Sequence, residues 1–165
     1  MTTRTVEGHL PGAGNVVGWR EWVRLPDLLG DEAVKAKIDT GARTSAIHAW
    51  DLEPIERDGS AWVRFSLHPR QKDDSHVVIV EARLIEERDV RSSNGEVERR
   101  TVVETALAVG TTTWSIELTL TNRDEMGFRM LLGRTAMSGR LLVDPGASYL
   151  TGGDRHGPGR PDRSR

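Results

Sequence analysis

The sequence predicts an all-β domain, a closed barrel or sandwich of short strands. Three observations lead there. Apolar and polar residues alternate through most of the interior of the chain. Gly, Pro and Asn-Gly signals separate these runs at short intervals. The best helix candidate, near Arg134 to Ser138, is short and lies late in the chain.

The elements follow in order. VVGWREWVRL (16–25) is the first strand region and stops at Pro26. AVKAKID (33–39) alternates and ends on an acid. AWVRFSL (61–67) sets Trp62 out of phase with Val63, Phe65 and Leu67, which gives one apolar face. HVVIVEARLI (76–85) is apolar and then alternates; RTVVETALAV (100–109) and TTWSIELTLT (112–121) keep the same period. Leu131-Leu132-Gly133 is a short late strand, and RLLVD (140–144) runs into Pro145. Pro54, Pro69 and Asp58-Gly59 mark turns between them. Asn94-Gly95 is the strongest short signal for a two-residue hairpin turn. Its flanks carry Arg88, Arg91, Arg99 and Arg100, with Glu86, Glu87, Glu96 and Glu98 among them. Charge on both faces means that much of this hairpin projects from the core.

With 165 residues, one domain is expected, over 16–150. Residues 1–15 are rich in Gly, Thr and Pro, and residues 151–165, TGGDRHGPGRPDRSR, hold no large apolar side chain. Both are expected to be disordered tails, the second one basic, because neither buries enough surface to offset its ordering entropy. Net charge is −2, so the total implies neither a nucleic-acid nor a membrane partner. There is no cysteine, which excludes disulfides and thiolate metal sites and fits a cytoplasmic protein. No apolar run approaches the roughly 20 residues that a membrane helix needs.

KAKIDTGARTSAIHA (35–49) carries the chemistry of interest. Asp39 ends a strand, Thr40 offers a hydroxyl that can lock a turn, and Gly41 lets another chain come close. Alone, Asp-Thr-Gly is a weak signal, because an Asp at a strand end is usually a turn former. An aspartic-protease reaction needs two carboxylates facing one water, one acting as general base and the other as general acid. Downstream, FRMLLGRTAM (128–137) supplies a strand and a Gly able to pass close to such a turn.

IDTGA followed by LLGR, with strands and a hairpin between, resembles the layout of retropepsin-like aspartic proteases. The resemblance is closer to a bacterial subgroup, on GWREWVRLP, KAKIDTGARTSAIHA, WVRFSLHP, RSSNGEVERR, LTNRDEMGFRMLLGRTAM and VDPGASYL, which together span residues 18 to 150. It implies a retropepsin-like barrel and an aspartic endopeptidase without a cofactor. Members are often labelled ATP-dependent zinc proteases. Some are encoded beside ATP-grasp ligases that add glutamates to proteins, and are implicated in processing such tails.

The residues do not support zinc or ATP. There is no HExxH, the five His are scattered, and no GxxxxGK[ST] loop exists. GAGNVVG near residue 12 lacks the preceding strand of a dinucleotide site.

By the resemblance, Asp39 is the catalytic acid, and Thr40, Gly41 and Ala42 complete its turn. Leu132, Gly133 and Arg134 form the supporting strand and its Arg. In retroviral relatives that Arg pairs with an acid just beyond the motif; Arg43 and Thr44 stand there instead. The hairpin at Asn94 and Gly95 occupies the place of the substrate flap. The chain has one DTG, so a homodimer would supply the second Asp39. Asp144 in LLVDPGAS is the rival, but Pro145 removes the hydroxyl and an N–H donor, and a strand-ending turn is the preferred reading.

Ala42 lacks the hydroxyl with which a Ser could stabilise the charged carboxylate. Activity is therefore expected to extend nearer neutral pH. Arg43, Arg88, Arg91, Arg99 and Arg100 are candidates to bind an acidic, glutamate-rich peptide or protein through their planar forks. The opposing reading pairs these Arg with the interleaved Glu. A non-catalytic peptide-binding barrel and, less favoured, a zinc peptidase are the alternatives for the whole chain.

Overall fold

The computed structural model describes residues 15–70, 73, 75–91, 95–122 and 127–151; of residues 90 and 91 it describes the backbone alone. The expected tails at 1–14 and 152–165 lie outside the described residues. Thr151, the first residue of the expected C-terminal tail, is hydrogen-bonded to Glu21.

The chain is all-β, and its described residues form ten strands and two four-residue helices. The strands are β1 (Val16–Val17), β2 (Arg20–Arg24), β3 (Ala33–Ile38), β4 (Ser45–Arg57), β5 (Ser60–Leu67), β6 (Val78–Arg91), β7 (Val97–Val109), β8 (Thr112–Thr121), β9 (Met130–Leu132) and β10 (Leu142–Val143). The helices are α1 (Pro26–Leu29) and α2 (Arg134–Met137). Eight strands form one sheet in the order β2-β3-β9-β4-β5-β6-β7-β8. Further pairings of β2 with β7 and of β4 with β8 curl it into a ring. β1 and β10 make a separate parallel pair.

The alternation foreseen in the sequence fills the interior. Val63, Phe65 and Leu67 of β5 are buried, with Trp62 left half-exposed on the outer face. Leu107 of β7, Leu118 of β8 and Met130 and Leu132 of β9 are almost wholly buried against them. Burying each such side chain contributes about 1.5–3 kcal/mol before the entropy of ordering is subtracted.

Three elements depart from the reading of the sequence. α1 is a second helix. Pro26 does not merely end β2; it occupies the first helical turn, where its missing N–H costs nothing. Gly30, at φ 61°, ends the helix. β4 was not foreseen, because Asp51-Leu52-Glu53-Pro54 breaks the pattern. A bulge between Trp50 and Glu53, with Asp51 at φ 54°, resets the register, and Pro54 then pairs with Val63. Beyond Trp50 only β5 flanks this strand, so Pro54 sits on a free edge, where the sheet tolerates it. Finally, the β6–β7 register, with Arg91 opposite Val97, is not the one that a two-residue turn at Asn94-Gly95 would set. Gly95 has φ 89°, and Asn94 lies outside the described residues.

Candidate functional site

β3 carries Asp39 to the end of the sheet, and β9 fixes it there. β3 runs parallel to β9, with Ile38 beside Leu132, while β4 leaves the loop antiparallel to β9, with Ala46 beside Leu131. The short apolar strand is thus threaded between the two strands flanking the acidic loop. Asp39 N donates to Leu132 O at 2.9 Å. Within the turn, Gly41 N donates to Asp39 Oδ1 at 2.9 Å and Ala42 N to Asp39 O at 3.2 Å. The carboxylate is therefore held by its own loop. It is half-buried, while Thr40 and Gly41 are exposed.

Gly133 allows the two segments to meet. A Cβ there would lie 2.5 Å from Thr44 O, so only glycine fits. Its N–H donates to the buried Ser45 Oγ at 3.0 Å. Arg134 N then donates to Ala42 O (2.8 Å) and Thr135 N to Arg43 O (3.0 Å). The Arg134 side chain, with no acid after the motif to pair with, turns back and donates from Nη1 to Thr40 O at 3.0 Å. A charged donor on that carbonyl stiffens the loop within one chain. The sequence did not single out Ser45. Its role depends on where β9 passes, and no local pattern announces it.

Asp144 ends β10 in a similar small turn: Gly146 N donates to its Oδ1 at 3.1 Å and Ala147 N to its carbonyl at 3.1 Å. Its own N–H is tied to Val17 O at 2.8 Å. It has the geometry of a strand-ending turn.

The structure separates the candidate arginines. Arg43 and Arg88 line one cavity of about 500 Å³ with Thr44 and Thr135, directly beside the acidic loop. Arg88 also pairs with Glu86. Arg43 makes no ion pair or side-chain hydrogen bond among the described residues. Arg88 stands opposite Arg100 on one face of the hairpin, while Arg99 stands opposite Asp89 on the other. Arg100 is paired with Glu98 at 3.3 Å, and Arg99 with Glu87 at 2.7 Å and Asp89 at 3.4 Å. Glu87, with help from Asp89, makes the Arg99 guanidinium still harder to deprotonate. Interleaved Glu thus meet three of these Arg, in exposed pairs at Arg88 and Arg99 and a partly buried one at Arg100; the exposed pairs each contribute little. The Arg91 side chain and Asn94 lie outside the described residues.

The His residues do not converge on a metal-binding group among the described residues. His48 and His68 flank Trp50, with ring centroids 3.9 and 4.0 Å away.

Comparison with known proteins bears on this geometry. A family model described as "Retropepsin-like aspartic endopeptidase RimB" matches residues 16–153. The chain is 48% identical over 137 residues to a "Probable alpha-L-glutamate ligase" of Shewanella halifaxensis, covering 83% of this chain and 30% of that protein. It is 50% identical over 137 residues to one so named of Parasynechococcus marenigrum, covering 83% and 29%. The chain therefore spans less than a third of the length of these relatives. A crystal structure of a Legionella pneumophila protein of unknown function superposes with a TM-score of 0.69 at 27% identity, covering 82% of this chain and 97% of that one. The match over most of the chain, with the threaded strand and the braced Asp39 loop behind it, shows that the chain belongs to the RimB-like family of retropepsin-like aspartic endopeptidases.

Proposed function

We propose that this chain is an aspartic endopeptidase whose dyad is Asp39 from each of two copies. The observation that carries the reading is the Asp39 loop. Its carboxylate is half-buried at a strand end, held by the Gly41 N–H, and backed by β9 through Leu132 and Gly133. A turn former has no need of a second strand threaded behind it. The exposed Thr40 and Gly41 leave the front of the loop available to a second copy. In the dimer one carboxylate takes a proton from the bound water, which attacks the peptide carbonyl. The other gives its proton to the carbonyl oxygen.

The substrate we infer is an acidic peptide or a glutamate-rich tail. Arg43, whose guanidinium is unclaimed among the described residues, and Arg88 line the cavity next to the loop, and a guanidinium binds a carboxylate with two parallel bonds. The named relatives give a second reading some weight, because the domain is a minor part of proteins called glutamate ligases. In that reading the barrel holds an acidic chain without cutting it.

Cleavage of poly-glutamate and neutral peptides by wild type, Asp39→Asn and Arg43→Ala, with sizing of each protein, separates these readings. The peptidase reading expects Asp39→Asn to lose turnover and keep binding, and a dimer to appear under assay conditions. Full activity in Asp39→Asn rejects it. Binding without turnover in the wild type supports the second reading. Arg43→Ala is expected to lower kcat/KM on the acidic peptide about tenfold while leaving the neutral one unchanged.

A further inference from the structure

A second cavity, of about 400 Å³, opens where β6 and β7 part. Their ladder ends at Arg83↔Glu104. Beyond it, Glu81 and Ala82 continue with β5, while Thr105 and Ala106 continue with β8. α1 packs against both strands at this fork. Leu28, Trp62 and Ala82 give the cavity apolar walls.

Two features are unexplained by folding alone. Thr105 lines the cavity, is 4% exposed, and carries the buried side-chain oxygen that finds no partner among the described residues. A stranded hydroxyl weakens a fold unless something bonds it. The second feature is charge. Asp27, Glu81 and Glu104 stand around the cavity with Arg83 as the lining cation. Glu104 is taken by Arg83 and Ser115, and Glu81 by Arg57 and Arg64. Asp27, exposed at the start of α1, makes no ion pair among the described residues.

We propose that this fork is a second binding site, for a peptide segment that presents an apolar side chain beside a basic residue. The apolar side chain lies against Leu28, Trp62 and Ala82. The cation meets Asp27. A hydroxyl both gives and accepts hydrogen bonds, so Thr105 can take either backbone group of the peptide once the segment enters. The site is separate from the Arg43 cavity and opposite to it in charge preference, although Ser115 lines both. A substrate protein could thus be held by its body at the fork while an acidic tail lies at Arg43.

The test is binding alone and requires no turnover. Ac-Leu-Lys-NH2, Ac-Leu-Glu-NH2 and Ac-Gly-Lys-NH2 are titrated into the full chain and followed by two-dimensional NMR. The expected result is saturable binding of Ac-Leu-Lys-NH2, with shifts centred on α1 and the fork. Each of the other two peptides should bind about tenfold more weakly, a loss of about 1.4 kcal/mol. Asp27→Asn should reduce the preference for Lys over Glu, and Arg43→Ala should leave it intact. Thr105→Val should weaken binding while raising the urea midpoint, since it removes the stranded hydroxyl. Equal affinity for the Lys and Glu peptides, shifts centred on Arg43, or no binding would overturn the proposal. Unchanged binding in a stabilised Thr105→Val protein would overturn the part given to the hydroxyl.

Discussion

Gly133→Ala tests the claim that β9 and the acidic loop are in backbone contact. The backbone there, at φ −100° and ψ 179°, is extended and open to any residue, so the substitution carries no dihedral strain. Only the contact opposes it. The new Cβ would lie 2.5 Å from Thr44 O, 2.6 Å from Thr44 C and 2.9 Å from Thr44 N. Ordinary contact begins at 3.4 Å, so the loop or β9 must retreat by about 0.9 Å, the difference between 3.4 and 2.5. Overpacking of this kind costs about 1–3 kcal/mol. The bond from Gly133 N to Ser45 Oγ, stretched by the same movement, contributes about 1 kcal/mol. The total, about 2–4 kcal/mol, is a large share of a typical 5–15 kcal/mol stability. Urea unfolding should show the midpoint lowered by about 1–2 M at constant slope. Because the retreating residues follow Asp39 directly, turnover in the peptidase reading should fall about a hundredfold even in folded protein. Gly41→Ala is the contrast: its Cβ meets only Asp39 Oδ1, at 3.3 Å, and no backbone. A Gly133→Ala midpoint within error of wild type would refute the reasoning.

Three further outcomes follow from the same contacts. Glu21 is wholly buried and accepts from Gly18 N, Leu150 N, Thr151 N and Thr151 Oγ1; Glu21→Ala strands these donors and should cost at least about 3 kcal/mol in urea unfolding. Arg134→Leu removes the bond to Thr40 O; the expected loss is about 1 kcal/mol, and in the peptidase reading turnover falls more than stability, read from kcat beside the urea midpoint. Glu104 titrates below its ordinary value, first because Arg83 donates to it and then because Ser115 does. A carboxylate depressed on folding adds stability above its unfolded value and loses it as pH falls through the folded one. Glu104→Gln should therefore be slightly less stable than wild type at neutral pH, with the gap closing below about pH 4 in pH-dependent thermal melts.

Much of this molecule was legible in the chain itself. Period-two alternation names the buried faces of β3, β5, β7 and β8, because a strand facing one core must alternate. The acid, the hydroxyl and the glycine of residues 39–41 mark a tight loop, and LLGR marks its support. Other features were legible only in three dimensions. β4 was hidden because its Pro54 and Asp51 are tolerated by a free edge and a bulge, and both depend on which strands lie alongside. Ser45 and Gly133 matter because β9 passes within contact of the loop about 90 residues away in sequence, a proximity that long-range strand pairing creates. The four hairpin arginines, Arg88, Arg91, Arg99 and Arg100, looked alike in sequence. Register alone places Arg88 with Arg43 at the cavity and turns Arg99 to the other face, since one step along a strand reverses a side chain.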